Sequence, residues 1–200
     1  MIAVLDYGGG NVGSVLKAIE YLGVSAERID QPAALHSADK IIFPGQGHFG
    51  AMMKGLADRK MLAPLQETFA EGKPFLGICL GLQALYRASD EAPALAGLDL
   101  FHGSVEQLPQ NVKLPHMGWN QLRLLRDSSL LEGIPSGSYF YFAHSYAAPV
   151  DGPATAATCE HGREFIAVLE TQRIFGVQFH PEKSGVHGAK LLDNFLRIAA

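Results

Sequence analysis

The fold of this chain is decided by the stretch Lys73-Pro74-Phe75-Leu76-Gly77-Ile78-Cys79-Leu80-Gly81-Leu82-Gln83. An apolar run enters a turn with glycine on both sides of a cysteine and leaves it as a helical segment. This is the pattern of a nucleophile elbow, with sulfur in place of a hydroxyl. Cys79 would precede a helix N-terminus, whose partial positive charge favours an anionic sulfur. A small buried core residue is the other interpretation of this cysteine.

Strand-like and helix-like segments alternate on both sides of the elbow. The predicted strands are Ile2–Asp6, Val24–Ile29, Lys40–Phe43 and Phe75–Ile78, and the predicted helices are Val12–Leu22, Phe49–Leu56 and Leu62–Glu71. Such alternation indicates an open, mostly parallel sheet with helices on both faces. Ligands of parallel sheets bind at the carboxyl ends of the strands, where the glycine turns at 8–10, 45–47 and 77–81 would lie.

The second half of the chain has a different character. Short β-rich segments are separated by Gly and Pro turns, at 103–108, 121–125, 139–142, 154–159, 165–170 and 173–178. They are expected to be antiparallel strands appended to the sheet, followed by a helix that carries Leu191 and Phe195. The fold class is therefore predicted to be α/β with an antiparallel C-terminal extension, in one domain over residues 1–200.

Composition limits the classes of protein to consider. The chain has 200 residues, of which 48% are hydrophobic and 18% charged, as in a soluble globular enzyme. A net charge of −4 gives no reason to expect nucleic acid or an anionic membrane as a partner. Neither a signal peptide nor an apolar run of about 20 residues is recognised. With two cysteines, read as reduced thiols, we expect a cytoplasmic protein.

A catalytic thiol needs a base, and the base needs an acceptor that orients it. Phe175–Glu182 is an apolar strand ending in His180-Pro181-Glu182. In an extended chain residues i and i+2 point the same way, so His180 and Glu182 are expected to meet. Glu182 would then bind one ring nitrogen and leave the other for Cys79. A solvated pair at the end of a strand is the alternative.

The oxyanion of the reaction also needs donors. The elbow offers the Leu80 N–H, and the loop Pro44-Gly45-Gln46-Gly47 offers a second backbone N–H, at Gln46 or Gly47. An ordinary β-turn is the other interpretation of this loop.

Other patterns compete with this interpretation. Residues 8–13 match the dinucleotide fingerprint G-x-G-x-x-G, which a glycine-rich turn after a strand also satisfies by accident. His144 is the rival base for Cys79, but it has no acid two residues on. No metal-ligand spacing, with one another or with the cysteines, is shown by His36, His48, His102, His161 and His187, so we expect neither a metal nor another cofactor.

The motifs together resemble a known family. Pro44–Gly47, Gly77–Gln83 and Phe179–Ser184 are similar to P-G-x-G, G-x-C-x-G-x-Q and F-H-P-E-x-S of the class I (triad) glutamine amidotransferases, and the similarity spans almost the whole chain. Segments 6–11, 115–120 and 141–146 resemble a narrower group, the glutaminase subunits of imidazole glycerol phosphate synthases in histidine biosynthesis.

The resemblance implies a flavodoxin-like sheet and a set of roles. Cys79, His180 and Glu182 would form the triad. The glutamine site would be lined by Gly45, Gly47, Gln83, His144, Ser145 and Tyr146. The family usually has valine where this chain has Gln46, a change that could alter how readily the loop reorients.

The resemblance also implies a partner, a (β/α)8-barrel cyclase subunit in a heterodimer, which would use the ammonia released from L-glutamine. Asn11, Met117, Trp119 and Asn120 are expected at that interface, where aromatic residues and Met are enriched. Core packing is the alternative for the single tryptophan.

Alternatives of function also stay open. The chain could serve another synthase, such as the pyridoxal phosphate one, or act as a cysteine peptidase or other acyl hydrolase on the same fold. A binding module that uses the first glycine turn, without catalysis, is the third.

Overall fold

The computed structural model describes residues 1–150 and 152–199. The helices are α1 (Val12–Tyr21), α2 (Pro32–His36), α3 (Phe49–Asp58), α4 (Leu62–Ala70), α5 (Leu80–Gln83) and α6 (Gly185–Arg197). The strands are β1 (Ile2–Leu5), β2 (Glu27–Ile29), β3 (Lys40–Gly45), β4 (Phe75–Cys79), β5 (Tyr86–Ser89), β6 (Phe101–Gln107), β7 (His116–Gln121), β8 (Arg123–Leu124), β9 (Tyr139–His144), β10 (Tyr146–Ala147), β11 (Thr155–His161), β12 (Arg163–Thr171) and β13 (Ile174–Val177). Short 3-10 helices cover Gly152–Ala154 and Pro181–Lys183.

Among the described residues, the main sheet has eight strands in the order β2-β1-β3-β4-β13-β12-β11-β8. The pairs from β2 through β13 are parallel, and those from β13 through β8 are antiparallel. This confirms the predicted α/β class with a mostly parallel sheet and added antiparallel strands. Among these residues, no helix has the length and apolar character to cross a membrane.

Alternating side chains of the central strands divide the core into two layers. Val4, Ile42 and Leu76 face the layer covered by α1 and α6, while Leu5 and Phe43 face the layer covered by α3 and α4. Period-2 alternation on a strand buried on both faces produces this division. Helices therefore cover both faces, as predicted.

Two smaller sheets stand beside the main one. β10, β6 and β5 form a three-stranded sheet, and β7 pairs with β9 in an antiparallel ladder that sets His116 opposite His144. This ladder adjoins the region that follows β13, since the His180 N–H donates to the Tyr141 carbonyl at 2.9 Å. It brings the 141–146 segment to the carboxyl edge of the main sheet.

Three expectations about local structure are wrong. β13 is antiparallel to β12 but parallel to β4, so it lies inside the sheet rather than at its antiparallel margin. Residues 116–121 form a strand, which is not among the predicted strands. The second strand covers Glu27–Ile29 only, because the residues from Val24 lead into it without pairing in the ladder with β1.

Candidate active site

Cys79 lies at the junction of β4 and α5 in a backbone conformation that side chains rarely adopt. Its φ is 55° and its ψ is −107°. The reversal packs β4, α5 and β3 so closely that a Cβ on Gly81 would lie 1.9 Å from the Phe43 carbonyl oxygen, and one on Gly77 would lie 2.5 Å from the Gly81 carbonyl oxygen. The glycines are thus required by close approach of backbone, and the strain is concentrated at the cysteine.

The register of the main sheet places the carboxyl ends of β3, β4 and β13 side by side. Cys79 pairs with Gly45 at the end of β3, and Ile78 pairs with Val177 at the end of β13. The residues that follow these positions therefore meet at one edge of the sheet, as the carboxyl ends of parallel strands do. They include the 46–47 loop and His180.

His180 and Glu182 form a buried pair beside Cys79. The His180 Nδ1 lies 2.9 Å from Glu182 Oε1, with the two side chains 4% and 1% exposed. Glu182 belongs to a 3-10 turn rather than to an extended strand, so the reason given for this contact was wrong although the two side chains do meet. Ser184 holds the turn by donating to the His180 carbonyl at 2.6 Å.

The electrostatics of His180 are set by its neighbours. Burial opposes charging of the ring, but the negative charge of Cys79 and hydrogen bonds to Cys79 and Glu182 raise the pKa of His180 to about 10. Because Glu182 occupies Nδ1, Nε2 is the nitrogen left to face the sulfur. The site therefore favours a protonated His180 beside the Cys79 sulfur.

Asn11 supports the carboxylate from the first glycine turn. Its Nδ2 donates to Glu182 Oε1 at 3.1 Å. The turn that matches a dinucleotide fingerprint thus contacts the buried pair. The expected interface role of Asn11 stays a prediction.

The expected oxyanion donors differ in availability. Leu80 is the first residue of α5, so its N–H has no partner within the helix. The Gln46 N–H, in contrast, donates to the Tyr7 hydroxyl at 3.2 Å, and that hydroxyl donates to the Gln46 carbonyl at 2.8 Å. Tyr7 therefore binds both backbone groups of Gln46, and the N–H expected to serve the oxyanion is already occupied.

A narrow cavity of about 60 Å³ opens over Cys79. It is lined by Gln46, Gly47, Cys79, Leu80, Gln83, Glu91, Ala143, His144, Ser145 and Tyr146. Most residues predicted to bind substrate are therefore brought together here, while Gly45 lies in the sheet beside Cys79. A single water needs about 10–15 Å³ of such cavity volume, so this cavity has room for a small polar group.

Both ring nitrogens of His144 have protein partners. Nδ1 lies 2.9 Å from the Tyr146 carbonyl oxygen, and Nε2 lies 3.0 Å from His116 Nδ1. Burial, followed by the neighbouring His116, lowers the pKa of His144 to about 3. His144 is therefore placed to line the cavity as a neutral ring, not to serve Cys79 as a base.

Sequence reasoning missed three residues that contact the site. Gln178 is fully buried and its Nε2 donates to Cys79 Sγ at 3.6 Å. Tyr7 binds the Gln46 peptide and His116 binds His144. Gln178 lies two residues before His180, so the predicted strand already placed both on the same face, which could have identified it.

The residues expected at a partner interface lie on β7. The side chains of Met117 and Trp119 are exposed, which excludes core packing of the tryptophan. The Asn120 side chain instead turns inward, where Nδ2 donates to the Glu160 carbonyl at 2.9 Å. The interface itself stays a prediction.

This fold is that of a glutamine amidotransferase. The model of the class-I glutamine amidotransferase family matches residues 3–199, and the chain belongs to that family and, within it, to the HisH subunits of imidazole glycerol phosphate synthase. HisH of Moorella thermoacetica is 46% identical over 195 residues, covering 97% of this chain and 93% of the relative. HisH of Pyrococcus furiosus is 46% identical over 199 residues and covers 98% of each.

Solved structures support the fold. A crystal structure of a glutamine amidotransferase superposes with a TM-score of 0.77 at 19% identity, covering 98% of this chain and 96% of the other. The PurLQS structure from Thermotoga maritima gives a TM-score of 0.75 at 22% identity, with the same coverage.

Proposed function

We propose that this chain hydrolyses L-glutamine to L-glutamate and ammonia, with Cys79 as nucleophile, His180 as acid and base, and Glu182 as the group that orients His180. The observation that supports this is the buried His180–Glu182 pair hydrogen-bonded to a cysteine with a φ of 55°. Residues 1–200 act as one glutamine amidotransferase domain.

In the first half of the reaction the Cys79 thiolate attacks the side-chain carboxamide carbon of glutamine. The oxyanion is held by the Leu80 N–H and, once the loop has turned, by the N–H of Gln46 or Gly47. An amide nitrogen leaves only when protonated, so the imidazolium of His180 donates its Nε2 proton, ammonia departs and a γ-glutamyl thioester remains.

In the second half neutral His180 takes a proton from water. The hydroxide equivalent attacks the thioester carbon, the C–S bond breaks, and glutamate leaves while the thiolate and imidazolium are restored. Because the same ring acts first as acid and then as base, its two protonation states must both be reachable in the cycle.

The ammonia needs a consumer that is close by, since in neutral water it is mostly protonated and not nucleophilic. Relatives at 46% identity are named as subunits of imidazole glycerol phosphate synthase. We infer that this chain forms a heterodimer with a (β/α)8-barrel cyclase subunit, HisF. Ammonia would be channelled there to make imidazole glycerol phosphate and an aminoimidazole carboxamide nucleotide in the cytoplasm.

The test is release of glutamate from glutamine, measured with the chain alone and with a candidate cyclase and its nucleotide ligand. We expect slow turnover alone, strong activation by the liganded partner, and loss of roughly 10⁴-fold or more in Cys79→Ala. Cys159→Ala is the matched control, since burial raises the pKa of that thiol to about 12 and keeps it unreactive.

Two results would contradict the proposal. Turnover of peptides without turnover of glutamine would indicate a peptidase. Full activity of the isolated chain, unchanged by the cyclase, would exclude the coupled heterodimer.

A further inference from the structure

Three histidines lie together behind the cavity, outside the triad. His116 and His144 are both buried, and His116 Nδ1 lies 3.0 Å from His144 Nε2. The His161 ring stacks on His116 with centroids 4.2 Å apart, and His161 Nε2 lies 2.9 Å from the Lys113 carbonyl oxygen. Among the described residues no group of His, Cys, Asp or Glu is arranged to hold a metal ion. The ring nitrogens bind one another and the backbone instead.

The protonation of two of these rings follows from one carbonyl group. The Tyr146 carbonyl only accepts, so His144 must carry its proton on Nδ1, 2.9 Å away. His144 Nε2 is then an acceptor, which requires a proton on His116 Nδ1. His116 Nε2 is in turn an acceptor, and it lies 3.2 Å from the donor Asn120 Nδ2. Burial lowers the pKa of His116 to about 4 and that of His144 to about 3, so both rings are neutral, and this set of contacts then places each proton on Nδ1.

The same carbonyl determines the orientation of two glutamines on the other side. Gln83 Nε2 donates to the Tyr146 carbonyl at 2.7 Å and also to Gln178 Oε1 at 3.1 Å. With its oxygen engaged there, Gln178 turns its Nε2 toward Cys79 Sγ at 3.6 Å. One directed set of hydrogen bonds thus joins β7 to the nucleophile through groups that carry no charge.

We propose that His116 and His144 are positioning residues for the nucleophile, holding the Tyr146 carbonyl so that Gln83 and Gln178 present an N–H donor to the Cys79 sulfur. This role rests on the proposed function of Cys79. A hydrogen bond from a neutral amide stabilises a thiolate without supplying a second acidic proton. His180 therefore stays the proton donor to the leaving nitrogen.

The strand that carries His116, β7, also carries exposed apolar side chains. Alternation along the strand turns His116 and Asn120 inward and Met117 and Trp119 outward, so the hydrogen-bonded side and the exposed apolar side share one backbone. His116 therefore lies on the same strand as the exposed Met117 and Trp119.

The first test uses the wild-type protein. Nitrogen-15 NMR of the histidine rings is expected to show His116 and His144 protonated on Nδ1 and neutral from pH 6 to pH 8. Protonation on Nε2, or an imidazolium at pH 6, would overturn the proposal.

The second test compares His116→Phe, which keeps the ring stack but removes the donor, with His116→Asn, which keeps an N–H near the position of Nδ1. The readouts are kcat and KM for glutamine and the rate at which iodoacetamide alkylates Cys79, followed by peptide mass mapping. In His116→Phe we expect both kcat and the alkylation rate to fall about tenfold, as for loss of one hydrogen bond to a charged group, with KM little changed. His116→Asn should recover most of the loss.

His102→Phe is the control, because its side chain is 89% exposed and should change neither rate. Equal losses in both His116 variants, or none in either, would overturn the positioning role.

Alkylation and NMR do not depend on glutamine turnover. If wild-type protein fails to hydrolyse glutamine while these readouts behave as expected, the proposed function fails and the positioning role stands. If wild-type protein hydrolyses glutamine while His116→Phe shows wild-type kcat and alkylation rate, the positioning role fails and the proposed function stands.

Discussion

His180 and His144 are buried to a similar degree on two sides of Cys79, yet their protonation is opposite. His180 is 3% exposed and has its pKa raised to about 10, while His144 is 6% exposed and has its pKa lowered to about 3. Burial opposes the charged form of both rings. The difference comes from the partners, which are the Cys79 sulfur and a carboxylate for His180, and a carbonyl and another imidazole for His144. Burial alone therefore does not assign the role of a histidine.

The largest effect is expected when the charged partner of His180 is removed. Glu182→Gln replaces the carboxylate by an amide that can donate to His180 Nδ1 and hold the ring with the wrong nitrogen protonated. We expect kcat for glutamine to fall about 10³-fold or more, with a lower pKa of His180 by NMR titration. A fall of less than tenfold would contradict the role given to Glu182. Glu67→Gln, beside the exposed His36, is the matched control and should have little effect.

The two neutral histidines, His116 and His144, predict a dependence of stability on pH. In the unfolded chain His116 and His144 bind protons near pH 6.5, but in the folded chain their pKa values are lowered to about 4 and about 3. The unfolded state binds more protons in between, so the free energy of unfolding falls as pH drops below about 6.5. The slope is at most about 1.4 kcal/mol per pH unit for each histidine.

Denaturant unfolding at pH 7, 6 and 5 measures this slope. His116→Phe should give a flatter dependence than wild type, and His102→Phe should match wild type. Parallel curves for wild type and His116→Phe would show that His116 is not buried as a neutral ring.

A variant of Asn11 tests how far the charge on His180 depends on the hydrogen bond that Asn11 donates to Glu182. Asn11→Ala removes the hydrogen bond to Glu182 Oε1, and we expect kcat to fall roughly tenfold or less, since the carboxylate keeps its charge and its contact with His180. Steady-state glutaminase assays measure this, and a loss as large as that of Glu182→Gln would show that Asn11 rather than burial fixes the carboxylate.

The smallest expected effect leaves both histidines unchanged. Tyr7→Phe removes the hydroxyl that binds the Gln46 N–H and carbonyl, which frees that peptide to turn toward the cavity. We expect the glutaminase rate of the isolated chain to rise about threefold, a gain within the range of one neutral hydrogen bond, with the NMR titrations of His180 and His144 as in wild type. A lower rate would mean that the hydroxyl aids the reaction.

The parts of the site that were predictable consist of residues close to one another in the sequence. The elbow around Cys79 and the His180-Pro181-Glu182 segment each bring groups together within a few residues, so the spacing indicates which side chains meet, although it did not indicate the 3-10 turn at Glu182. The contact of His116 with His144 depends instead on the register of β7 with β9, and residues 116–121 contain a glycine and two exposed apolar side chains that hide the strand. The direction of β13 was also missed, because residues 174–177 pair parallel on one side and antiparallel on the other and an apolar run does not distinguish these.

The place of β13 between β4 and β12 has a consequence for synthesis of the protein. When the ribosome has released the chain only as far as the end of β12 at Thr171, β4 has one unpaired edge, and that edge runs up to Cys79. Open edges of apolar strands pair readily with other chains. During the same interval the nascent chain also lacks His180 and Glu182, which follow β13. The segment after β12 therefore both covers the open edge of β4 and supplies the two residues proposed to act with Cys79.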